Sequence, residues 1–148
     1  MLPVFFIQSA LQQASKFNLK SKDAYKKYIF KYFKVGLITT ILIAIVTFIF
    51  SETIIYIFSR EKIEYSSKIL SILGFIPFLA MLNFKNVIYL LVNDLKSILN
   101  KATFFTLIFM LSSSFVLTYL YSGLGLAYAL VVTELFSFII HYYFINIK

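Results

Sequence analysis

The chain has 148 residues, 61% hydrophobic and 20% aromatic but only 14% charged, with a formal charge of +8 and no cysteine. A soluble domain carries about 25% charged residues; here the mean hydropathy of the chain is +0.89 and the apolar residues sit in long runs, which marks transmembrane helices rather than a greasy soluble core. The missing cysteines exclude disulfides, thiolate catalysis and Cys-based metal sites, and no zinc-finger, RRM or helix-turn-helix pattern accompanies the charge to suggest nucleic acid.

Residues 1–14, MLPVFFIQSALQQA, are apolar but too short to span a bilayer. A secretory signal would open with positive charge, and here the charge follows instead. The segment reads either as the end of a truncated transmembrane helix, with Pro3 near its start, or as an interfacial or disordered beginning. Residues 15–34 then carry Lys16, Lys20, Lys22, Lys26, Lys27, Lys31 and Lys34 against Asp23 alone. Within them Tyr25, Tyr28, Ile29, Tyr32 and Phe33 recur at helical spacing, and Lys27, Lys31 and Lys34 occupy another side. This is a basic cytoplasmic loop or amphipathic helix suited to anionic headgroups, where each lysine gains about 1 kcal/mol. Two readings stand: a solvated face that fixes topology, or a grip on an acidic lipid-linked substrate.

The first full span is 35–58, with Glu52 close to its far end. The loop beyond it, 59–67, is neutral, because Arg60 and Lys62 cancel Glu61 and Glu64. Neutral on one side and basic on the other places the lysine-rich segment in the cytoplasm. The second span, 69–92, contains Gly74 and Pro77, which predict a bend, since proline removes a helix donor and crowds the preceding turn. Near its inner end Asn83, Asn86 and Asn93 fall close to one helical face with Lys85 beside them. They line a cavity or serve helix packing, with Lys85 free to snorkel to the interface.

A short inner connection with Asp94, Lys96 and Lys101 leads to the third span, 102–121, where Ser112, Ser113, Ser114 and Thr118 suit close helix packing. The fourth, 122–145, follows a very tight turn. It pairs Gly123 with Ala127 and Gly125 with Ala129, small residues four apart that let two helices touch backbone to backbone. Tyr119, Tyr121, Tyr142 and Tyr143 fit the two interfaces, and Lys148 ends the chain on the basic side. Glu134 lies deep in the fourth span, where a carboxylate costs about 2.5–3.5 kcal/mol on insertion scales, so it must face other helices or a wet cavity. It reads as a carboxylate bonded to hydroxyls or as a proton- or cation-linked gate. His141, seven residues on and on roughly the same face, is an interfacial histidine or the partner of Glu134 in a proton relay. A single histidine makes no multi-histidine metal site, and no phosphate-binding loop, HExxH, GxSxG or paired acidic motif occurs. No cofactor and no enzyme chemistry are therefore expected.

The run G-L-G-L-A-Y-A-L-V-V-T-E from Gly123 resembles the late-helix pattern of the polysaccharide flippases of the multidrug/oligosaccharidyl-lipid/polysaccharide exporter superfamily, with one residue fewer between the glycines. The order of a Pro-containing helix end, a basic loop, a span, a short outer loop with Tyr65, a further span and an inner loop at Asp94–Lys96 is similar too. The resemblance implies an all-α, multi-pass transmembrane bundle of four full spans plus an N-terminal partial helix, the C-terminal portion of a larger exporter-like bundle. It implies alternating access that carries an undecaprenyl-diphosphate-linked oligosaccharide across the bacterial inner membrane, with membrane lipids and the missing N-terminal helices or partner membrane proteins as company. On depth and polarity, Lys85 would then attract the diphosphate, Asn83, Asn86 and Asn93 would wall the cavity or bond sugar hydroxyls, and Glu134 would couple protonation to helix packing. The alternative is a small four-span accessory protein of cell-surface glycosylation, similar to the GtrA-like membrane proteins, acting through partners.

Overall fold

A computed structural model describes residues 2–147, with side chains for 10–19 and 21–147; Met1 and Lys148, the latter expected on the basic side, lie outside the described residues. Every element among them is helical: α1 (Leu2–Lys20), α2 (Lys22–Ser59), α3 (Glu64–Leu73), α4 (Ile76–Leu82), α5 (Phe84–Val92) and α6 (Lys96–Asn146). Three helical stretches, Lys22–Ser59, Glu64–Val92 and Lys96–Asn146, are long and apolar enough to cross a membrane.

Helix α1 runs on past the expected limit of residue 14 and stops at Ser21, whose extended backbone opens α2. The Ser21 hydroxyl accepts the Ala24 N–H at 3.0 Å, and Asp23 sits in the first turn, where the exposed amides favour negative charge. The lysine-rich residues 22–34 are thus one rod with the apolar run that follows, with no loop between. Ala10 and Ala14, four apart on α1, are fully buried in a cluster with Ile29 of α2, Met81 of α4, and Phe84 and Ile88 of α5. Phe17 and Tyr28, flanking Ser21, bring their rings to 4.9 Å as α1 folds back on α2. Small side chains allow that approach.

The second apolar stretch is interrupted twice. Gly74 and Phe75 separate α3 from α4, and Pro77, in the first turn of α4, has no N–H to return to the preceding turn. This is the bend that Gly74 and Pro77 predict. The second interruption, at Asn83, is new: its N–H reaches Ala80 at 3.2 Å in a tightened turn, and α5 starts one residue later. Chain then reverses through Asp94, at φ 55°, into α6.

The 51 residues of α6 are two helical limbs joined at Ser122, whose φ of 54° and ψ of −134° are not helical, and the chain turns back on itself there. Phe109 and Phe136 stack at 4.2 Å, and Phe105 and Phe144 at 5.9 Å. Along an unbroken helix, 109 and 136 would be about 40 Å apart. The two limbs, 96–121 and 123–146, are each about 36–39 Å long at 1.5 Å per residue, enough to span. Their close approach requires Gly125, because a Cβ there would overlap the Leu117 carbonyl. A buried row on the second limb, Gly125, Ala129, Thr133, Ser137 and His141, follows the four-residue period. At the end of the bundle away from the lysines, the Tyr65 hydroxyl accepts the Leu124 N–H at 3.2 Å, joining α3 to the start of that limb.

Candidate functional site

At the lysine-rich end, α2, α5 and the second limb of α6 enclose an open cleft of about 760 Å³. Lys22, Lys26, Lys27 and Lys85 line it, together with Asn18 of α1, Asn86 and Asn93, and among the described residues no carboxylate does. Tyr25, Phe30, Tyr89 and Tyr142 supply aromatic walls, and Ile29 and Ile145 aliphatic ones. Helical spacing explains the gathering on α2: Lys22, Lys26 and Ile29 recur every three or four residues on one side of the rod. On α5, Lys85, Asn86, Tyr89 and Asn93 share a stripe for the same reason. Cationic donors beside apolar surface suit an amphiphile with an anionic head, such as a phosphate ester on a hydrocarbon chain.

Lys85 lies at the cleft wall with its ammonium 4.0 Å from the centroid of the Phe33 ring and 5.6 Å from that of Phe30. An attraction of this kind is worth about 0.5–1 kcal/mol at exposed sites, enough to place the charge without sequestering it. Asn93 is exposed and donates its amide to the Tyr89 carbonyl at 2.8 Å. Lys27 joins the cleft, whereas Lys31 and Lys34 are exposed elsewhere on α2.

Of the two places expected for Asn83, a cavity wall or a helix-helix contact, it takes the second. It is only 6% exposed and sits behind the wall, at the junction of α4 and α5. Its Nδ2 donates to Ser137 Oγ at 3.1 Å and lies 3.3 Å from His141 Nδ1, while its Oδ1 accepts from Asn86 Nδ2 at 3.3 Å. Ser137 and His141 are 9% and 4% exposed, so the group is enclosed. The structure therefore brings Asn83 and Asn86, read from the sequence as one polar face, together with His141, which the sequence assigns a different task. It does not join His141 to Glu134: Glu134 is half-buried on the second limb, and no side-chain hydrogen bond reaches it among the described residues.

Ser137 escaped the sequence reading. Its one visible signal was the four-residue row Ala129, Thr133, Ser137 and His141 in an apolar run. A similar row on α2, Gly36, Thr40 and Ala44, is also buried, and Gly36 lies against the Met81 side chain. Of the small residues expected to pack helices, Gly125, Ala127 and Ala129 are buried and Gly123 half-buried against Ile69 and Tyr65.

A second pocket, about 500 Å³, lies at the opposite end between α2 and α3, lined by Glu52, Thr53, Tyr56, Lys62, Glu64 and Ser67 among others. It mixes both charges, and the neighbouring Lys68 ion-pairs with Glu64 at 2.9 Å, holding that carboxyl below its ordinary range. Among the described residues no three His, Cys, Asp or Glu side chains gather as metal ligands. Compared with protein-family models, curated proteins and solved structures, the chain matches none of them.

Proposed function

We propose that this chain works in the transbilayer passage of a lipid-linked oligosaccharide, holding the lipid's diphosphate at its lysine-rich end. On this reading it is a multi-pass protein of the bacterial inner membrane with that end and its C-terminus in the cytoplasm. It forms part of an exporter-like bundle completed by further helices or partner membrane proteins. The mechanism is binding and reorientation without covalent chemistry. Lys85, Lys22, Lys26 and Lys27 attract the phosphates, Asn86 and Asn93 bond phosphate oxygens or the first sugar's hydroxyls, and the aromatic walls accompany the start of the hydrocarbon chain.

One observation carries the reading: four lysines and three amides converge on a cleft that has apolar walls and that, among the described residues, no carboxylate lines. A topology-fixing set of lysines has no need to converge with a lysine from another helix. The test is equilibrium binding to the purified chain in detergent micelles, with farnesyl diphosphate as probe and farnesol as its uncharged counterpart. The diphosphate binds at least about tenfold more tightly, and Lys85→Ala weakens it by about tenfold, as for loss of one charge-assisted contact. Equal affinity for the two probes, or unchanged binding in Lys85→Ala, would refute the proposal.

A further inference from the structure

The cleft has two walls that sequence does not join, α5 and the second limb of α6. Among the described residues, the side-chain hydrogen bonds between those walls all pass through Asn83: to Ser137 Oγ at 3.1 Å, with the His141 ring 3.3 Å away. Asn83 ends α4 and begins α5, a place where the regular helix is interrupted and only a tightened turn, Asn83 N–H to the Ala80 carbonyl at 3.2 Å, joins the two segments. A brace at this joint sets how far apart the walls stand.

The direction of the bonds follows from one short contact. His141 Nδ1 lies 2.7 Å from the Ser137 carbonyl, which can only accept, so the proton is on Nδ1. That bond ties the ring to the turn that carries Ser137; with its proton committed there Nδ1 accepts nothing from Asn83, and the one side-chain hydrogen bond across goes from Asn83 Nδ2 to Ser137 Oγ. Asn83 uses its nitrogen on Ser137 and offers its oxygen to Asn86. Asn86 commits one N–H there and keeps its other N–H, together with its carbonyl oxygen, for the cleft it lines.

We infer that His141 and Ser137 are positioning residues for the cleft: acting through Asn83, they hold the Asn86 amide where it meets a phosphate group bound in the cleft. Neither residue lines the cleft. The inference rests on the reading of the cleft as an anion site, and the experiment separates the two.

Farnesyl diphosphate and inorganic diphosphate are titrated into the full chain in micelles. His141→Asn, whose amide nitrogen replaces Nδ1 as donor to the Ser137 carbonyl, keeps the affinity within about twofold. His141→Phe, which keeps the ring and loses the donor, weakens binding about tenfold, the size of a lost buried hydrogen bond. Asn86→Ala weakens it similarly, and the double variant His141→Phe/Asn86→Ala is no weaker than Asn86→Ala alone, because both changes remove the same contact. Multiplying losses in the double variant, or wild-type binding in His141→Phe, would overturn the inference. Should His141→Phe not fold, Ser137→Ala takes its place, with about a fivefold loss expected and the same coupling to Asn86. Lys85→Ala is the separate arm. If it binds like wild type, the anion reading itself fails; if it weakens binding while His141→Phe does not, only the positioning role fails.

Discussion

Helix α2 and the broken stretch α3–α5 are both long and apolar enough to span a membrane, yet they treat their polar side chains in opposite ways. In α2, Thr39, Thr40 and Thr47 donate to carbonyls four residues back in the same helix, at 2.7–2.9 Å. Those three hydroxyls are satisfied locally, and the rod continues without interruption for 38 residues. In α3–α5 Asn93 likewise donates to the Tyr89 carbonyl, but Asn83 bonds across to the second limb of α6 and takes a bond from Asn86 on its other side. There the helix is interrupted, and there the cleft forms. Polarity that is answered within a helix builds a strut, and polarity answered across helices builds a site.

Substitutions can break or sharpen that contrast. The largest effect is expected at Asn83→Leu, which leaves Ser137 Oγ and the Asn86 amide buried without their partner. A loss of about 2–3 kcal/mol should appear in unfolding of the detergent-solubilised chain, together with weakened diphosphate binding. Gly74→Ala comes next: a Cβ there would stand 2.8 Å from Thr47 Cβ and Cγ2, on a β-branched side chain with little room to turn. It should cost about 1–2 kcal/mol in the same measurement, as overpacking does. The smallest belongs to Thr40→Val. Although Thr40 is only 1% exposed, its hydroxyl serves a carbonyl already engaged in the helix, so stability should change by no more than about 0.5 kcal/mol. A Thr40 cost matching that of Asn83 would erase the distinction between strut and site.

Much of the fold was legible in the sequence because it depends on run length and local chemistry. The apolar runs, the reversal before Gly123 and the bend at Gly74 and Pro77 all follow from residues within one turn of each other. The cleft was legible in part: Lys85, Asn86 and Asn93 share a helical stripe, and Lys27 sits in an obvious basic run. The partnership of Asn83 with Ser137 and His141 was not, because 54 and 58 residues separate them and a lone serine in an apolar span carries no mark of its partner. The relay expected between Glu134 and His141 rested on spacing along one helix. It overlooked that the histidine's nearest polar neighbours come from the facing α4–α5 junction and from its own preceding turn. Likewise α1 was read short, since its packing depends on Ala10 and Ala14, two unremarkable residues that matter only because Phe84 and Ile88 lie opposite.

The unbroken course of α2 has a mechanical consequence. Its first turns carry Lys22, Lys26 and Lys27 at one pocket, and Glu52, Thr53 and Tyr56 at the other belong to the same stiff rod. At 1.5 Å per residue the rod is about 57 Å long, so pivoting it by about 5° displaces the far tip by about 5 Å. Whatever tugs on those lysines is felt, as through a lever, at the opposite end of the bundle.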